Sequence, residues 1–263
     1  MTIEKPEKKY KLGLSLSGGG ARGFAHPGAI KAIEEAGMKP DVIAGTSAGA
    51  FAGVLYADGY SPEEIIELFL GKNLLQFAEI KVPTIAIFGT AGFRRFLKKH
   101  LRAKNFENLQ IPMKVIATNL EEGLTTVFEQ GPIIDALVAS CSIPVVFPPV
   151  KIGNASYMDG GIFKNFPVSI IRSECEKIIG VNVSPLVSKK SSQSIMHIAE
   201  RTFHYMSRNN TLLDRNLCDI LIEMKDLVDY NILDLKSAAK IFKLGYENAQ
   251  KSLNNSPLIS PFE

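Results

Sequence analysis

The stretch from Asp41 to Asp58 constrains this chain more than any other. A short apolar run, Asp41 to Ala44, meets Gly45-Thr46-Ser47-Ala48-Gly49, and a helical segment rich in small residues (Ala48, Ala50, Ala52, Gly53, Ala57) follows to about Asp58. A sharp strand-to-helix turn crowds its own backbone. It needs small residues two positions either side of the apex, and it lifts the apical hydroxyl above the sheet edge. Gly45 and Gly49 meet that need around Ser47, and the helix N-terminus favours negative charge beside the hydroxyl. The same letters also fit a tight turn with a capping serine and no chemistry.

A similar unit precedes it. Lys11 to Ser17 alternates and then runs apolar, Gly18-Gly19-Gly20-Ala21-Arg22-Gly23 follows, and Ala25 to Ala36 has helical periodicity, with Pro27 tolerated in a first turn. Strand, turn and helix twice over begin a parallel sheet covered by helices. Two chemistries suit the glycines. Their spacing satisfies G-x-G-x-x-G, the dinucleotide fingerprint, with Asp41 as ribose acceptor. Equally, successive glycine N–H groups at a helix N-terminus form a nest for an anion, as an oxyanion hole requires. The dinucleotide reading ranks second, because it leaves Gly45 to Gly49 unexplained and Asp41 begins the next strand rather than ending it.

Further on, Met113 to Thr118, Thr125 to Phe128, Lys177 to Val183 and Asp219 to Glu223 read as strands, with helices near 62–70, 93–103, 132–139, 194–208 and 235–252. No repeat or linker divides the chain, so a tail over residues 1–10 and one domain over 11–263 are expected. A hydrophobic fraction of 46% with 22% charged residues excludes a disordered or collagen-like chain. A net charge of +3 gives no global attraction to nucleic acid or membrane. The longest uncharged stretch, Val42 to Ala57, is shorter than the ~20 residues that span a bilayer. Three cysteines without C-x-x-C spacing fit a reducing cytoplasm rather than a disulfide framework or zinc site.

A third glycine motif is Tyr157-Met158-Asp159-Gly160-Gly161. Alone, Asp-Gly marks a hairpin turn. It matters here because a nucleophilic serine needs a base. Of the four histidines, only His197 and His204 follow Asp159 in the order serine, acid, histidine, and they sit seven apart in a helical pattern. His26 and His100 fit packing roles, so no histidine makes a good base.

In this order, G-G-G-x-R-G, G-x-S-x-G and D-G-G resemble the patatin-like phospholipase family in its small bacterial form. The resemblance is strongest from Lys11 to about Val183 and includes Ser142-Ile143-Pro144 and Asn165-Phe166-Pro167, while Pro27 departs from the aliphatic residue expected there. It implies a three-layer α/β/α fold with a mostly parallel central sheet. It also implies hydrolysis of lipid esters by a Ser-Asp dyad, with Ser47 as nucleophile and Asp159 as base. The oxyanion hole would lie at Gly18, Gly19 and Gly20, with Arg22 supporting the loop, and no metal or organic cofactor is required. Asp159 is expected to be partly desolvated, since burial raises a carboxylate pKa and makes it a better base. Acyl transfer to another acceptor remains an alternative on the same geometry.

The segment from Leu74 to Lys104 begins as an apolar stretch without periodicity, which fits a lid or a buried loop. It ends in a helical pattern with Phe93, Phe96, Leu97 and Leu101 on one face and Arg94, Arg95, Lys98, Lys99 and Arg102 around it. Such a basic amphipathic helix suits peripheral contact with an anionic membrane, or it packs its apolar face on the core and solvates its charges. Nucleic acid is not an expected partner, and nothing in the sequence specifies an oligomeric state.

Overall fold

The computed structural model describes residues 8–71, 79–80, 86–185, 198, 201–202, 205–206 and 208–256. Strand β1 (Tyr10–Leu16) leads through the glycine loop and a 3-10 turn into helix α1 (Ala25–Glu35). Strand β2 (Val42–Thr46) then passes through Ser47 into α2 (Ala48–Ala57). Short α3 (Pro62–Glu67) opens on a capping box, in which Ser61 and Glu64 satisfy each other's backbone N–H groups. A two-stranded ribbon, β3 (Glu79–Ile80) and β4 (Phe88–Gly89), precedes α4 (Ala91–His100).

Next come β5 (Met113–Asn119), β6 (Leu124–Phe128), α5 (Ile133–Ser140), β7 (Val150–Ile152), β8 (Ala155–Asp159) and α6 (Val168–Arg172). The chain continues through β9 (Cys175–Asn182), α7 (Arg208–Arg215), β10 (Ile220–Glu223) and α8 (Ala238–Asn254). The sheet runs β10-β9-β1-β2-β5-β8-β7, with β6 also on β5. From β10 to β5 every pairing is parallel, whereas β6, β7 and β8 are antiparallel additions.

Alternation in the central strands separates the layers. Ile43 faces a large core shared with α1, α2, α5 and α8, while its neighbours Val42 and Ala44 face a smaller one with Phe166, Val168 and Ile171 around α6. This is the three-layer α/β/α arrangement with a mostly parallel sheet.

Several expectations shift. β1 starts at Tyr10, one residue before the expected strand, and Tyr10 N–H donates to Glu174 O at 3.0 Å. The β7–β8 hairpin and α6 had no visible signal, because they are short and lack an amphipathic period. Much of the helix expected at 194–208, including His197 and His204, lies outside the described residues, as does most of the apolar stretch from Leu74 to Ile85. α7 carries on past that window to Arg215. α4 buries Phe96 and Leu97 against the core and leaves Arg95, Lys98 and Lys99 exposed.

One buried carboxylate ties α2 to the chain leaving α4. Asp58, only 4% exposed at the end of α2, accepts from Arg102 N–H at 2.7 Å and Ala103 N–H at 2.9 Å. Asp58→Ala strands these donors and should destabilise the fold by about 1–3 kcal/mol, read from urea denaturation. An unchanged midpoint would show that water replaces the carboxylate there.

Candidate active site

Strand pairing brings the serine and the aspartate together. Along one edge of β5, β2 pairs through Thr46↔Ile116 and β8 takes over at the next position through Asp159↔Ala117, while β6 occupies the other edge. β2 and β8 run toward each other and stop end to end. The residue after Thr46 is Ser47 and the last residue of β8 is Asp159, so both arrive at one point above the sheet.

Ser47 holds φ 52° and ψ −121°, a conformation that non-glycine residues rarely adopt. The turn persists because its surroundings over-determine it. Ser47 N–H donates to Ser140 Oγ at 2.9 Å, that hydroxyl donates to Ile116 O at 2.6 Å, and Thr46 Oγ1 donates to Lys164 O at 2.7 Å. Side chains at the flanking glycines would collide: a Cβ on Gly45 falls 2.7 Å from Ala50 backbone atoms, and one on Gly49 falls 2.3 Å from Leu16 O.

Asp159 is wholly buried, beyond the partial desolvation expected of it. Asp-Gly-Gly here is a 3-10 turn over Gly160–Ile162, not a hairpin, and Gly161 N–H donates to Asp159 Oδ1 at 2.8 Å. Asp159 N–H donates to Ser142 O at 3.0 Å and Thr118 Oγ1 donates to Asp159 O at 3.0 Å, which locks the main chain. Burial pushes the carboxyl up to about 7, opposed first by the nearby Ser47 hydroxyl and then by the Gly161 N–H. Oδ2 has no hydrogen bond of normal geometry. The Ser47 hydroxyl thus favours the charged carboxylate, and catalytic hydrogen bonds are often long before substrate binds.

The glycine loop corrects one expectation. Gly18 N–H donates to Asn165 O at 2.9 Å, so it does not serve as an oxyanion donor in this arrangement. Gly18 also lies against Ser47, since a Cβ added to it would stand 3.3 Å from Ser47 Cβ. Gly19 and Gly20 N–H donate to no backbone carbonyl among the described residues. Gly20 has φ +57° and lines the same cavity as Ser47. Arg22 is a brace: buried, it donates from Nε to Tyr230 O at 2.9 Å and from its guanidinium to Val228 O at 3.4 Å, holding the loop to the segment after β10.

Below the loop, buried His26 donates from Nε2 to Ser17 O at 2.8 Å, and burial holds it neutral, its pKa lowered to about 4. It touches the loop from beneath rather than the serine. His100 packs on Phe96 at the other end of α4. Neither described histidine reaches Ser47 or Asp159. Asp41, the ribose acceptor of the dinucleotide reading, sits at the entry to β2 and accepts Leu12 N–H at 2.8 Å. That is the opposite end of the strand from the glycine loop, so the dinucleotide reading fails.

Sequence reasoning missed Ser140, and saw Ser142 and Asn165 only as family turns. Their work is done by one hydroxyl and two main-chain carbonyls, which leave no periodic signal. Beside Ser47 opens an almost wholly apolar cavity of about 170 Å³, walled by Phe24, Phe51, Phe69, Phe93 and Phe147.

A serine raised on a strained strand-to-helix turn over an apolar cavity puts this α/β protein in the class of lipid ester hydrolases. Residues 14–171 match the family model described as patatin-like phospholipase, and the chain belongs to that family. It is 32% identical over 219 residues to the YqhO protein of Bacillus subtilis (strain 168), covering 70% of this chain and 75% of that one. It is also 32% identical over 179 residues to Lysophospholipase NTE1 of Saccharomyces cerevisiae, covering 65% of this chain but 11% of that much longer one. The fold resembles that of VipD from Legionella pneumophila, with a TM-score of 0.52 at 16% identity over 94% of this chain and 67% of VipD. Among the described residues, no helix is long and apolar enough to cross a membrane.

The raised Asp159 pKa has two consequences. If the carboxylate is the base, kcat/KM for a soluble ester rises with pH through about 7 and then levels. The folded state also keeps a proton that the unfolded chain, at about 3.8, releases, so this group's contribution to stability falls as pH rises from about 4 to about 7. Asp159→Asn should therefore raise the thermal midpoint at pH 8 while activity is lost. A lower midpoint at pH 8 would show that the carboxylate is held charged and satisfied.

Proposed function

We propose that this chain hydrolyses acyl esters of phospholipids or lysophospholipids through a Ser47–Asp159 dyad. The observation that carries the proposal is the meeting of β2 and β8 on β5, which brings a strained serine that lines an apolar cavity next to a buried carboxylate, one oxygen of which has no formed hydrogen bond. In this reading one acyl chain lodges among the phenylalanines, and its ester carbonyl comes within reach of Ser47. The likeness to the yeast lysophospholipase NTE1 supports the lysophospholipid class.

A serine hydroxyl is a weak nucleophile at neutral pH. As Ser47 Oγ bonds to the ester carbon, its proton passes to Asp159, and the carbonyl oxygen takes on negative charge opposite Gly19 and Gly20 N–H. Loss of one such donor typically costs about 3–4 kcal/mol of transition-state stabilisation. Collapse of the intermediate breaks the bond to the alcohol, which leaves with the proton from Asp159. Water, deprotonated by the same carboxylate, then releases the acid and restores Ser47. No step calls on a metal or organic cofactor.

Peripheral contact with an anionic membrane through α4 belongs to the same proposal, on fewer residues than the sequence offered. Arg94 pairs with Asp135, and Arg102 stacks over the Tyr60 ring at 4.1 Å and donates to Gly59 O at 3.0 Å. Lys98 and Lys99 remain exposed on the outer face.

The test is covalent. A fluorophosphonate should label the protein at Ser47 by peptide mapping, and Ser47→Ala should abolish both labelling and hydrolysis of a medium-chain p-nitrophenyl ester without unfolding the chain. Asp159→Asn should cost on the order of 10⁴ in kcat, the scale of losing the acid of a triad. Turnover retained in Ser47→Ala would end the proposal.

A further inference from the structure

Between α5 and β7 the chain makes a loop, 141–149, whose tip breaks two rules at once. Val145 is 56% exposed, and it holds φ 71°, a left-handed conformation that a β-branched residue adopts only under constraint. The constraint is visible on both sides of the tip. Ile87 N–H donates to Val145 O at 3.1 Å and Phe88 N–H donates to Val146 O at 2.9 Å, while the Phe88 and Phe147 rings lie 6.1 Å apart. The loop is thus zipped to the strand that leads into α4.

Two neighbours give the tip a context. Ile143 and Phe147, flanking it in the loop, line the cavity that contains Ser47. On the other side α4 starts two residues after β4 and carries Lys98 and Lys99 outward. An exposed apolar residue and the wall of an apolar cavity thus share one loop, and that loop is hydrogen-bonded to the chain that enters a helix with two exposed lysines.

We infer that the 143–147 loop and α4 form one docking surface for an anionic lipid bilayer, with Val145 inserted among the acyl chains and Lys98 and Lys99 on the headgroups. Charge complementarity selects the anionic surface. The shared loop explains why the apolar tip sits here, since an acyl chain leaving a bilayer at the loop enters beside Ser47 without crossing water. The inference rests on the lipid hydrolase reading and adds the side of the molecule that meets the lipid.

Glycine at 145 makes a clean probe, because it adopts the positive φ without strain and removes only the apolar side chain. Sedimentation with phosphatidylcholine vesicles, with and without phosphatidylglycerol, would use the full chain carrying Ser47→Ala, so that no lipid is consumed. The parent should bind the phosphatidylglycerol vesicles and hardly the others. Val145→Gly should bind about tenfold more weakly, with a thermal midpoint equal to or above that of the parent. Lys98→Glu with Lys99→Glu should weaken anionic binding by roughly tenfold or more. With Ser47 restored, each variant should keep its rate on a soluble short-chain ester. Absence of parent binding, or a Val145→Gly chain that binds as tightly as the parent, would overturn the docking surface. Vesicle binding by a chain that never hydrolyses the soluble ester would instead overturn the hydrolase reading and leave the surface standing.

Discussion

Strand β5 divides one of its edges between two partners, and the candidate site depends on that division. β2 pairs with its first half in parallel and β8 with its second half in antiparallel, so two strands far apart in sequence end against each other. A sheet edge is a fixed ladder of donors and acceptors, and consecutive rungs are one residue apart. Ser47 and Asp159 inherit that spacing from main-chain hydrogen bonds and not from contact between their own side chains. The antiparallel β7–β8 hairpin, which looks like an appendage to a parallel sheet, is thereby the element that delivers the carboxylate.

The strain and the burial at this point are supported by many small polar contacts. Ser140, Thr46, Thr118 and the carbonyls of Ser142 and Asn165 together satisfy the backbone around a serine in a rare conformation and an acid with no exposed surface. A buried polar group is tolerable only when bonded, so one unsatisfied carboxylate oxygen in so well-bonded a neighbourhood stands out. Desolvation raises the carboxyl toward neutrality, which makes it less stable as an anion and better matched to a proton transfer near pH 7. His26 shows the complementary case: the same burial that makes Asp159 hold a proton makes the histidine refuse one, so it serves as a neutral donor beneath the glycine loop.

The glycine loop is not uniform along its length. Gly18 is given up to a bond with Asn165, Arg22 braces the loop on the far side, and Gly19 and Gly20 are left with amides that no backbone carbonyl among the described residues claims. Three glycines in a row read alike in one dimension. Which of them bonds inward is decided by what the chain brings back alongside them more than a hundred residues later.

Local structure was legible in the amino-acid sequence. Gly45 and Gly49 announced a turn too tight for side chains, and the alternation in β1 and the small residues of α2 announced strand, turn and helix. Each of these depends on residues within a few positions of one another, where sterics and periodicity act directly. The end-to-end meeting of β2 and β8, the full burial of Asp159, the loss of Gly18 as a donor and the exposed, strained Val145 were decided only by tertiary structure. They arise from hydrogen bonds and packing between segments distant in the chain, and no local pattern of residues encodes which edge of a strand a later segment will occupy.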